Sequence, residues 1–100
     1  ESALWEDVGT PQALVRASAA LVLASGRDAH VDRSALVDPT AVITDGSAVG
    51  PGAVVRAGAR IRGSVIMSGA VIGPRADVAH SAVAPGARVD GGTVLRGFVI

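Results

Sequence analysis

The chain is 100 residues long, with nine acidic and nine basic side chains, every basic one an arginine, and no cysteine. That length allows one domain and an appendage; the charge balance leaves no footprint for nucleic acid or an anionic membrane, and without cysteine there is no disulfide framework or thiolate metal site. No apolar run approaches the ~20 residues of a membrane span and no signal peptide is present, so a soluble cytoplasmic protein is the default expectation.

In chain order, the first predicted element is a helix. Thr10-Pro11-Gln12 reads as its start, with threonine as N-cap and proline in the first turn. An alanine- and leucine-rich run follows until Gly26 stops it, which predicts a helix over 11–25. Leu14, Ala17 and Leu21 form its apolar stripe, with Val22 widening it, so the helix must dock on a surface. Residues 27–30 are polar and read as a linker.

From Val31 onward an aliphatic residue returns every sixth position, a period that fits neither a helix nor a simple antiparallel strand. Val31, Val37, Ile43, Val49, Val55 and Ile61 keep register; after one-residue deletions the series resumes at Ile66, Ile72 and Val78, then Val83, Val89 and Leu95, then Ile100. The deletions divide the segment into one coil of 18 residues (31–48) and three of 17 (49–65, 66–82, 83–99), each with three short strands and three corners. The pattern predicts a left-handed parallel β-helix over 31–100, about four coils, with all thirteen hexad aliphatics inside. The residue two before each aliphatic from Val37 to Leu95 is small, as a side chain pointing inward beside a corner must be.

The corners carry turn chemistry: Pro39-Thr40, Asp45-Gly46, Pro51-Gly52, Ala57-Gly58, Pro74-Arg75, Pro85-Gly86 and Gly91-Gly92. A type II turn needs positive φ at its second central residue, so Thr40 and Arg75 are expected to be the strained corners. In the 17-residue coils Gly63, His80 and Gly97 are left as single pivots. His80 is read as a histidine tolerating a left-handed backbone rather than as metal or proton chemistry.

One outer face presents Ala48, Val65, Met67, Ala82, Ala84 and Val99, with no charge, and reads as an interface for the helix or for a second copy of the chain. Coil register predicts Arg56 beside Asp38 and Arg60 beside Asp77. Phe98, the only phenylalanine, is expected to turn across the last coil and cover Leu95 and Val89.

Trp5-Glu6-Asp7-Val8-Gly9-Thr10-Pro11, followed by the helix and then the hexads, resembles the carboxyl-terminal portion of bacterial sugar-1-phosphate nucleotidyltransferases of the mannose-1-phosphate guanylyltransferase-like and glucose-1-phosphate nucleotidyltransferase-like kind. A bacterial source of high GC content also suits the lysine-free, alanine-, valine- and glycine-rich composition. The resemblance implies that residues 1–30 are the end of a catalytic domain and 31–100 a β-helix domain that assembles it into a homo-oligomer. By motif position Asp7 would be a Mg²⁺ ligand in the intact parent, whose substrates would be a nucleoside triphosphate and a sugar 1-phosphate. Such enzymes carry a glycine-rich G-x-G-T-R-L-x-P loop near the amino terminus, and nothing here matches it. Glu1 is not a natural start either, so the chain reads as a fragment without catalytic residues or a bound cofactor of its own.

Two other enzyme classes share hexads. An acyltransferase needs a catalytic histidine on a loop and a longer stack, and a γ-class carbonic anhydrase needs three histidines on zinc; with only His30 and His80 both are disfavoured. A free-standing, non-catalytic oligomerisation module remains the alternative.

Overall fold

The computed structural model describes residues 11–100. Among the described residues one helix, α1 (Pro11–Ala24), precedes twelve short strands that wind into a parallel β-helix of about four coils. Helix α1 ends as its sequence demands: Gly26, at φ 83°, gives its amide to the Leu23 carbonyl at 3.0 Å, and the Ser25 hydroxyl donates to the Val22 carbonyl at 2.6 Å.

The strands sort into three four-stranded parallel sheets. The first holds β1 (Ala29–Val31), β4 (Ser47–Val49), β7 (Val65–Ile66) and β10 (Ala82–Val83); the second β2 (Leu36–Val37), β5 (Val54–Val55), β8 (Val71–Ile72) and β11 (Arg88–Val89); the third β3 (Val42–Thr44), β6 (Arg60–Arg62), β9 (Asp77–Ala79) and β12 (Val94–Arg96). Val31 pairs with Val49, Val49 with Ile66, and Ile66 with Val83, so the aliphatic rows stack one coil apart where the deletions require. Strand β1 begins at Ala29, so two residues of the expected linker already belong to the ladder.

The core is the inward file of each sheet. Val49, Val55, Ile61, Ile66, Ile72, Val78, Val83 and Val89 are buried, with Ala53, Ala59, Ala70 and Ala76 filling the space beside the corners. Not all thirteen hexad aliphatics are inside, however. Val37, Ile43 and Leu95 are half-buried, and Val31 and Ile100 are exposed at 39% and 41%. These five lie in the outermost coils, which have a neighbour on one side only, and half of their contact surface is left open.

Inside the third corner runs a file of hydroxyls. Ser47 Oγ accepts the amide of Ser64, Ser64 Oγ that of Ser81, and Ser81 Oγ that of Phe98, each at 3.1 Å. The same hydroxyls donate to Thr44, Arg62 and Ala79 carbonyls respectively, at 2.8–3.0 Å. All three serines are fully buried. One short polar side chain per coil therefore satisfies the amide that a tight bend turns inward, where nothing apolar could accept it.

The corners at Thr40 and Arg75 follow two designs, and Asp45-Gly46, with φ of 59° and 81°, departs from the expected type II turn. Arg75 and His80 adopt positive φ, 61° and 51°, and the pivots Gly63 and Gly97 do the same. Thr40 does not, which corrects the expectation of strain there. Its amide and hydroxyl both donate to Asp38 Oδ1, at 2.9 and 2.6 Å, and its Oγ1 accepts the Gly58 amide from the next coil at 2.9 Å. One coil on, the equivalent Arg75 amide goes to the Ala57 carbonyl instead. Turns of type I and type II differ by a flip of the central peptide; where that carbonyl turns away, the threonine hydroxyl takes its place as acceptor. Ser34 repeats the device with Asp32 below Gly52.

The expected placement of the charges holds although their bonding differs, and one further expectation needs correction. Arg60 and Asp77 are ladder neighbours and Asp38 and Arg56 occupy equivalent places in adjacent coils, as the register requires. The ion pair nevertheless joins Asp77 to Arg62, at 3.1 Å, a diagonal that an arginine is long enough to span. Asp38 is already held by Thr40, and no Asp38–Arg56 pair forms. Phe98 is 57% exposed and does not close the stack. Its amide is tied to Ser81 Oγ and its carbonyl to the Ala82 amide, so its backbone keeps a serine's place in a shaft too narrow for a ring, and the ring extends into solvent.

Candidate functional site

The uncharged face and the helix come together. Helix α1 packs against the first sheet, touching β1, β4 and β10. Gln12 Nε2 donates to the Gly97 carbonyl at 3.3 Å in the fourth coil, while Ala19 lies against Gly46 in the first. The helix therefore runs along the stack, against the direction of coil winding, and spans all four coils. Fourteen residues give it roughly 21 Å at 1.5 Å per residue, enough to cross three inter-coil steps of about 4.8 Å.

Its seated stripe differs from the expected one. Val15 and Val22 are buried and Ser18 and Ala19 half-buried, while Ala17 is exposed and Leu21 is 74% exposed. The cause lies in the surface below. A Cβ built on Gly46 would fall 2.7 Å from the Ala19 carbonyl oxygen, so helix and corner meet backbone to backbone. Only short side chains fit such an approach, and leucines would hold the helix away. Leu21 and Leu23, about 100° to either side of the seated Val22, stay 74% and 51% exposed.

Two depressions flank the helix. One, of about 390 Å³, lies between Leu14 and Ser18 and the remaining part of the face, including Ala48, Val65, Met67 and Pro85, with His30 and Asp32 at its rim. The Asp32 carboxyl is held below its ordinary range first by the Ser34 hydroxyl and amide, with the nearby His30 adding to the effect. The other, of about 580 Å³, separates Val15, Ala19 and Leu23 from Asp45, Gly63 and His80 along the third corner. Its lining is mostly apolar, and His80 is its only histidine.

His80 itself is placed by packing. Its Nδ1 lies 2.8 Å from where a Cβ on Gly63 would be, so the ring sits over the preceding pivot and Gly63 has to be glycine. Asp7, with the rest of the motif that precedes Pro11, lies outside the described residues. Among the described residues no three histidine, aspartate or glutamate side chains come together as metal ligands, and no helix is long and apolar enough to cross a membrane. Sequence reasoning missed the hydroxyl file; its signal was present in Ser47, Ser64 and Ser81, the same residue at one position of three successive coils.

What the arrangement offers chemically is surface: a rigid stack, a helix clamped along it, and leucines left exposed beside it. No curated protein matches the chain. A family model described as the GMPPB C-terminal domain matches residues 26–100, from the glycine that ends the helix through every coil. That match covers most of the chain and agrees with the resemblance to the carboxyl-terminal portion of mannose-1-phosphate guanylyltransferase-like proteins, and the chain belongs to the GMPPB C-terminal domain family.

Proposed function

We propose that this chain is the assembly domain of a sugar-1-phosphate nucleotidyltransferase, joined through helix α1 to a catalytic domain that precedes it. The observation that carries the reading is the helix that leads from the motif into the matched C-terminal domain: Val15 and Val22 seat it on the β-helix while Leu21 and Leu23, to either side of that stripe, stay exposed. Exposed leucines of that kind are ordinary at a boundary between packed units. The β-helix supplies the rigid body through which copies of the enzyme associate into a homo-oligomer.

In the parent an oxygen of the sugar 1-phosphate attacks the α-phosphorus of a nucleoside triphosphate. The bond from that phosphorus to the bridging oxygen breaks, and pyrophosphate leaves. The substrates place the enzyme in the cytoplasm. Asp7 would hold Mg²⁺, which offsets charge on the reacting phosphates when bound; one carboxylate holds a hydrated Mg²⁺ weakly unless substrate phosphates share it. The test is pyrophosphate release by the full-length parent given a sugar 1-phosphate and each nucleoside triphosphate in turn. Release with one of them, lost in Asp7→Asn, supports the reading; no release with any sugar 1-phosphate overturns it.

A further inference from the structure

On the third sheet, Arg62 and Arg96 lie on opposite sides of one small residue. Arg62 pairs in register with Ala79, and Ala79 with Arg96, so the two arginines flank it from the coil before and the coil after. Their Cα atoms are therefore about two inter-strand spacings, roughly 9.6 Å, apart. Ala79 is buried beneath them, and with His80 these residues line a depression of about 230 Å³.

The charge there is only partly used. Asp77 accepts one hydrogen bond from Arg62 Nη2, and this is the single ion pair among the described residues. Arg62 Nε is shielded from solvent and has no acceptor. A guanidinium has five donors, and Asp77 accepts from only one nitrogen of Arg62. Arg96 is exposed and meets no carboxylate. Two cations over an alanine floor, with one carboxylate between them, leave a net positive recess on an otherwise charge-balanced chain.

We propose that this recess binds a single phosphate group, clamped between Arg62 and Arg96 with Ala79 as its floor and His80 at its edge. Arginine pairs suit phosphate because each fork can offer two parallel N–H donors. The size argues for a lone phosphate or the terminal phosphate of a larger molecule: the volume falls below the ~300–1,000 Å³ typical of sites that enclose a whole drug-sized ligand. The site lies on a different sheet from the one that carries helix α1, and it does not depend on the parent's reaction.

The test is a titration of the 100-residue chain with inorganic phosphate at fixed pH and ionic strength, followed by NMR at the Ala79 and His80 amides and the arginine Nε–H groups. Saturable shifts confined to these residues are expected. Affinity should fall about tenfold or more in Arg96→Gln and stay unchanged in Arg88→Gln on the second sheet. Asp77→Asn, which frees the Arg62 fork, should tighten binding several-fold. A parallel titration with a simple phosphate monoester distinguishes the free ion from a terminal phosphate. Shifts that never saturate, or equal losses in the Arg96 and Arg88 variants, would overturn the proposal.

Discussion

Ser64 Oγ accepts the Ser81 amide at 3.1 Å across one coil, and in the same position Ser47 serves Ser64. The interior of this β-helix is therefore not wholly apolar: one file of hydroxyls carries the amides of its tightest corner. Ser64→Ala would keep the volume nearly constant but orphan the Ser81 amide in the core. A loss of about 1–3 kcal/mol is expected, or roughly 4–8 °C in Tm per kcal/mol for a domain of this size. Thermal or urea unfolding checks it, and an unchanged midpoint would mean that the hydroxyl file is incidental.

Arg75 and Thr40 occupy the same place in different coils and should respond to glycine with opposite signs. Arg75 sits at φ 61°, where a side chain costs about 1–2 kcal/mol. Glycine removes that strain and gives back part of the gain, roughly 0.5–1 kcal/mol, as added freedom of the unfolded chain. Arg75→Gly should thus stabilise by about 0.5–1 kcal/mol. Thr40→Gly should destabilise, because it deletes the oxygen that accepts the Gly58 amide. Two melting curves settle the matter; the same sign at both corners would refute the two-design account.

Helix α1 is seated by Gly46. Alanine there places a methyl 2.7 Å from the Ala19 carbonyl oxygen on a backbone at φ 81°, and neither backbone can give way easily. Gly46→Ala should cost at least about 1–3 kcal/mol and raise amide exchange along α1 more than in strands β5 to β9. Uniform exchange across both would show that the helix is not held at this contact.

The first coil should be the acid-sensitive one. The Asp32 and Asp38 carboxyls are lowered from the ordinary 3.8, chiefly by hydrogen bonds from the Ser34 and Thr40 hydroxyls and secondly from their amides. A carboxyl lowered in the folded state contributes stability that is present above its unfolded value and is lost as pH falls through the folded one. Protection of the Gly52 and Gly58 amides, whose acceptors are those hydroxyls, should therefore decline below about pH 4. In Asp32→Asn and Asp38→Asn the decline at the corresponding amide should vanish. Persistence of the same decline in both variants would assign it to other groups.

Much of this architecture was legible because a period of six with three deletions leaves a single register: Val49, Ile66 and Val83 can stack in no other way. The misses have separate physical origins. Apolarity says which side chains avoid water, but not how closely two backbones approach. The helix was read by Leu14, Ala17 and Leu21 with Val22 widening the stripe; Val22 is buried and Leu14 half-buried, but the close approach at Gly46 seats Ala19, and Ala17 and Leu21 are left exposed. Phe98 was read by its hydrophobicity, whereas its backbone bonds decide where the ring can go. Asp38 was paired by charge with Arg56, yet a hydroxyl two residues away is nearer and costs less side-chain entropy. Asp7 was named only through resemblance, since a lone carboxylate carries no geometric signature, and it lies outside the described residues.

The central claim, that these coils assemble an enzyme rather than perform its chemistry, is tested most directly by sedimentation velocity of the full-length parent beside a version ending at Thr10. The account predicts that the intact protein sediments as an oligomer and the shortened one as a smaller species that still releases pyrophosphate. Equal oligomeric states in the two, or an intact parent that is monomeric, would contradict it.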